Sequence, residues 1–202
     1  GDATQATGFQ STALGAGALA TQQNATAVGE RAIASGTQST SIGRASIASK
    51  SRTTALGASS KATRDQATAI GVQAHASANR SIALGSFANS SGELSQAIGS
   101  NAMASGEYSA AIGPYANATA ADSIAIGYLS NATAEDSLAI GRSSIANEKN
   151  AIAVGTEAIA TKVNATALGD ASQATGFQST ALGALAKATK QNATAVGEKA
   201  EA

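Results

Sequence analysis

The chain has 202 residues, a formal net charge of zero, 13% charged and 3% aromatic residues, no Trp and no Cys. Balanced charge removes the electrostatic footprint of a nucleic-acid binder or a polybasic membrane-surface segment, and the absence of Cys removes disulfides and thiolate metal sites. So few aromatic side chains cannot fill a wide globular core, no apolar run reaches the length of a membrane span, and residues 1–15 lack the basic-then-apolar order of a signal segment.

A strict period of fourteen replaces the usual domain signals. Glycine recurs at Gly1, Gly15, Gly29, Gly43, Gly57, Gly71, Gly85, Gly99, Gly113, Gly127, Gly141, Gly155, Gly169, Gly183 and Gly197, with no insertion. A period this short means a solenoid whose coils are single repeats. With the glycine as position 14, the unit reads x-x-(A/S)-x-A-(S/T)-x-x-x-(S/A)-x-A-(I/L/V)-G.

Positions 2 to 6 alternate small and variable residues, which predicts a first strand with one buried face, at positions 3 and 5, and one wet face, at positions 2 and 4. The Ser/Thr column at position 6 is expected to open the next turn with its hydroxyl on the backbone. Positions 10 to 13 predict a second strand restricted on both sides: Ser, Ala or Thr at 10 and Ala at 12 face one way, and an aliphatic residue at 13 faces the other. The glycine then turns the chain where a positive φ or the closeness of the next coil excludes a Cβ. Helix fails because glycine interrupts it at every repeat and positions 3, 5, 10 and 12 share no helical face. The expected fold is all-β: a parallel β-roll solenoid of about fourteen coils, two short strands each, as one repetitive domain over residues 1–202.

The small columns can meet inside a narrow roll, which leaves column 13 outside as a continuous stripe: Leu14, Val28, Ile42, Leu56, Ile70, Leu84, Ile98, Ile112, Ile126, Ile140, Val154, Leu168, Leu182 and Val196. An apolar stripe of that extent marks an interface, so obligate self-association about the long axis is expected. Column 11 would join it with Ile82, Gln96, Ala110, Ile124, Leu138 and Ile152 in the middle and Thr toward both ends. Buried Thr and Gln there would need hydrogen bonds between subunits or trapped water.

Units such as S-I-A-L-G-S-F-A-N-S (81–90), S-A-A-I-G-P-Y-A-N-A (109–118) and S-I-A-I-G-Y-L-S-N-A (123–132) resemble the head repeats of trimeric autotransporter adhesins, the YadA-like head family, over essentially the whole chain. The resemblance implies a left-handed β-roll, a homotrimer, no catalysis and no cofactor. It also implies display on the bacterial surface above an outer-membrane anchor, with attachment to host extracellular matrix or cell-surface receptors and autoaggregation. Stalk, neck and anchor patterns are not found in these residues, so a head fragment without direct membrane contact is expected.

The outer columns 1, 2, 4 and 7 to 9 are the surface left for a ligand, and the low-charge candidates there are Phe87, Tyr108, Tyr115, Tyr128 and Leu129. Their alternative is ordinary surface scatter, with the head serving as a passive spacer. His75, the only histidine, is expected in an exposed column with no partner for catalysis or metal binding. Asp122, Glu135 and Asp136 read as solvated turn charges rather than a cation ladder. The sequons at Asn24, Asn79, Asn89, Asn117, Asn131, Asn164 and Asn192 follow from the repeat itself. One hexapeptide-like step, I-G-x-x-A-x, also occurs in β-helix acyltransferases, but the 14-residue coil and lone His argue against that chemistry. The interrupted Thr column argues likewise against ice binding. Residues 1–16 and 169–184 differ only at Thr4 versus Ser172, the mark of duplication within a longer head.

Overall fold

A computed structural model describes residues 3–202. The repeat glycine Gly1 lies outside the described residues. The chain forms two compact units, residues 1–101 and 102–202. Each consists of coils with one two-residue and one three-residue strand, from Gln5–Ala6 and Thr12–Leu14 at the start of the first unit to Lys187–Ala188 and Thr194–Val196 at the end of the second. Within each unit the two-residue strands stack in one parallel sheet and the three-residue strands in another, each coil pairing with the next at an offset of fourteen residues, as in Leu19 with Ile33 and Val28 with Ile42.

The short strand covers positions 4 and 5 only, not 2 to 6 as the alternation predicts. Position 2 is the third residue of a turn: its φ is positive in Arg31 (55°), Phe87 (59°) and Tyr115 (58°), and position 9 repeats this in Asn24 (56°), Arg80 (56°) and Asp136 (57°). The turn closes with the position 3 amide on the position 14 carbonyl, as in Ala32 to Gly29 at 3.2 Å, and its counterpart runs from position 10 to position 7, as in Ala25 to Gln22 at 3.1 Å. The amide at the left-handed residue donates to the preceding coil, Arg31 to Ala16 at 2.8 Å. Position 2 is variable because it sits on a turn, not because it lines the wet side of a strand.

The interior is small side chains throughout. Ala18, Ala20, Ala25 and Ala27, at positions 3, 5, 10 and 12, have no exposed surface, and neither do their equivalents Ala74, Ala76, Ala67 and Ala69. Apart from Ser11, whose hydroxyl has no partner, serine at positions 3 and 10 is equally buried and bonds the turn it follows: Ser60 Oγ donates to the Gly57 carbonyl at 2.9 Å and Ser109 Oγ to Gly106 at 2.7 Å. These two columns, rather than the expected Ser/Thr at position 6, cap the turns. Where serine replaces the inner alanine it meets another serine across the roll, Ser41 with Ser46 at 2.7 Å and Ser90 with Ser95 at 2.6 Å, so no buried hydroxyl is orphaned at either place.

Gly29 has φ +129°, and a Cβ on it would lie 2.7 Å from the carbonyl carbon of Gly43 in the next coil. At Gly29 and its equivalents up to Gly183 a side chain is excluded twice, by conformation and by space, and at Gly197 by conformation alone.

Candidate functional site

Two outward surfaces matter, one on each sheet. On the three-residue-strand sheet, alternation sends Ala83 inward with no exposure and leaves Leu84 beside it 41% exposed. Leu56, Leu182 and Ile42 are similarly exposed, and Ile82 and Ile124 carry the stripe into position 11. Gln96 is exposed at that position, and Ile70, Ile98, Ile112, Ile126, Ile140, Val154 and Leu168 are half-buried. A roll whose core is methyl groups and hydroxyls thus keeps its largest aliphatic side chains outside.

The other surface lies between the turn at positions 1 to 3 and the two-residue strand. In the second unit Tyr115 and Tyr128 meet edge to face, with ring centres 6.1 Å apart and planes at 85°. Leu129 follows Tyr115 one coil on, and all three are about half exposed. Tyr115 and Leu129 border a shallow groove of about 350 Å³ whose turn side is Tyr115, Leu129 and Ser143 and whose strand side is Asn117, Asn131 and Ile145, with Ser130 between; Tyr128 braces the Tyr115 ring from outside the lining. Asn117 Nδ2 donates to Asn131 Oδ1 at 3.0 Å across one coil step. Asn117 Oδ1 is buried without a partner, as is Asn89 Oδ1 in the first unit.

Of the aromatic candidates, the structure brings Tyr115, Tyr128 and Leu129 together and leaves Tyr108 apart, at position 9 on the opposite turn with φ 56°. Phe87 belongs to the first unit, half exposed at position 2. In the sequence Asn117 and Asn131 read only as sequons that follow from the repeat, not as site residues. The recurrence of N-A-T at 117 and 131, one period apart, was the available signal.

His75 is half-buried rather than freely exposed, in a smaller groove lined also by Ser59, Lys61 and Gln73. Burial, reinforced by the Lys61 ammonium, holds its imidazole below the ordinary histidine value. Glu135 pairs with Lys149 at 2.8 Å, which raises the lysine, and Arg142 pairs with Glu157 at 2.7 Å. Both pairs are solvent-exposed links between turns and add little stability. Asn24, Asn79, Asn164 and Asn192 are exposed turn residues, whereas Asn89, Asn117 and Asn131 lie in strands.

Fold and surface together define an all-β parallel solenoid whose coils are single fourteen-residue repeats, with no helix among the described residues. The YadA head domain repeat (2 copies) matches in overlapping pairs at residues 6–32, 34–60, 48–72, 62–88, 90–116, 104–130, 118–144, 132–158, 146–172, 160–186 and 174–200, and the chain belongs to that family. Membership supports an adhesin role. Among solved structures the chain is similar to the collagen-binding domain of the Yersinia adhesin YadA, at 22% identity over 80% of this chain and 67% of that one, with a TM-score of 0.32. Collagen binding is a property of that domain. No curated protein sequence matches the chain.

Proposed function

We propose that this chain is head segment of a bacterial surface adhesin, a non-catalytic homotrimer displayed outside the outer membrane. It attaches to host extracellular matrix or cell surfaces and lets cells aggregate with one another. The observation that carries this reading is the aliphatic stripe at position 13, on the outside of a roll too thin to hide it, in a chain belonging to the YadA head family. Three copies meeting through positions 11 and 13 would bury that stripe and give the thin rolls a shared core. Gln96 and the position 11 threonines would then pair between subunits or hold water near the axis.

Burying those columns turns the short-strand sheet and its turns outward. Any bound surface is then repeated three times about one axis, and weak contacts add through multivalency rather than through one deep pocket. Tyr115 and Tyr128 are the anchors, aromatic groups of the type that dominate binding energy, and Leu129 adds apolar contact beside them. Phe87 and Tyr108 add separate apolar contacts.

Capture on a surface coated with matrix glycoproteins tests the reading. The wild-type chain is expected to be retained, and a Tyr115→Ala/Tyr128→Ala variant of unchanged solution mass to lose at least about tenfold in retention, the loss of two hot-spot anchors. Absence of wild-type retention would favour a passive spacer.

A further inference from the structure

The groove beside Tyr115 has a polar side that folding does not demand. Its strand wall is position 4, where the same roll accepts Leu19, Ile33, Ile47 and Ile145. Asparagine at 117 and 131 therefore replaces side chains the fold tolerates well, and at a cost, because Asn117 Oδ1 is buried without a partner. Buried orphan acceptors are uncommon and call for a reason. The Asn117 amide, by donating to Asn131 Oδ1, occupies the carbonyl of the second amide and fixes its plane. Asn131 is thereby left with its N–H2 group as a free donor on the groove wall.

The surroundings narrow the ligand. No charged side chain lines the groove, and the charges on the next coils, Arg142 and Glu157, are engaged with each other. An anionic ligand would find no counter-charge. The strand backbones below the groove pair in register on both sides, Asn117 with Asn131 and Asn131 with Ile145, so no free ladder of N–H and C=O groups invites a peptide strand. What remains is one tyrosine ring braced by a second, an apolar side chain, an amide donor and a hydroxyl, spaced along three coils at roughly 4.8 Å per coil. That step is close to the length of one sugar ring, and the set of groups complements a ring with C–H faces and hydroxyl edges.

We propose that this groove binds a neutral oligosaccharide, two or three rings long. The Tyr115 ring, held edge-on by Tyr128, packs against a C–H face; Asn131 Nδ2 donates to a ring hydroxyl; Ser143 meets a second hydroxyl; Asn117 positions Asn131. This assignment rests on the adhesive reading of the outer face and names the ligand class for one part of it.

The test is binding of the 202-residue chain to an array of neutral, sialylated and sulfated oligosaccharides and unglycosylated peptides. The comparison variants are Asn131→Leu and Asn117→Leu, residues the position 4 wall already accommodates in Leu19. The expected result is selective binding of neutral oligosaccharides, weakened at least about tenfold by Asn131→Leu, which removes the hydrogen-bond donor that the ligand would cover. Asn117→Leu is expected to weaken binding while raising the melting temperature, a split that a merely structural asparagine would not give. Binding confined to peptides or charged sugars, no binding at all, or equal binding by wild type and Asn131→Leu would each overturn the assignment. Retention on a matrix-protein coat in any of those cases would leave the adhesin reading standing.

Discussion

The two halves of each coil share one backbone plan, offset by seven residues, and differ in what they turn outward. Left-handed residues at positions 2 and 9, turn-capping serines at 3 and 10, and buried alanines at 5 and 12 correspond one to one. The outer positions do not: position 6 is Ser or Thr except at Asn147, and its counterpart 13 is always Ile, Leu or Val. Position 14 is always glycine, with φ between 117° and 139° among the described residues, whereas its counterpart 7 accepts Lys50, Arg64, Ala134 and Glu148 without a positive φ. Equal interiors with unequal exteriors teach that the roll itself sets the inner columns and something outside the roll sets position 13.

The sharpest way to break this comparison is to place the same charge on both halves of one coil. Ile112→Asp would put three carboxylates near one axis and is expected to abolish assembly, while Ser105→Asp, its counterpart seven residues earlier, is expected to leave the solution mass unchanged. Equal behaviour of the two in sedimentation would show that the faces are reversed. At the turns, Gly141→Val adds a Cβ 2.6 Å from the Gly155 carbonyl carbon at a φ of +132°. A loss of about 3 kcal/mol in denaturant unfolding is expected from strain and overlap together.

The equal interiors can be tested with a serine pair. Ala69→Ser alone buries an unpaired hydroxyl and is expected to cost about 1–3 kcal/mol. Adding Ala74→Ser recreates the spacing of Ser41 and Ser46 and should recover most of that loss in a double-mutant cycle. The smallest effect concerns His75. Its folded-state value is depressed, so the unfolded chain binds the proton more readily: stability is intact above the ordinary histidine value of 6.5 and declines as pH falls below it toward the lower folded-state value. His75→Gln should flatten that decline in thermal melts between pH 7 and 5.

The period, the two parallel sheets and the buried columns were legible because sterics leaves only Ala, Ser or Thr inside so narrow a roll. The left-handed columns were not, because an exposed turn residue accepts any side chain: Arg31, Phe87 and Tyr115 share one backbone conformation and nothing else. The Asn and Asp residues at position 9, such as Asn24, Asp122 and Asn150, and Gly17 and Asn101 at position 2 were the local hints, since those types tolerate positive φ best. The serine caps were read merely as small residues. Tyr115 and Tyr128 were legible only as outer-column residues, and the Asn117–Asn131 contact exists only once residues fourteen apart are stacked side by side.

The mass of the chain in solution by multi-angle light scattering tests the central claim most directly. The account predicts a stable species of three times the 19.5 kDa chain mass, with the position 13 stripe hidden. A stable monomer would contradict it.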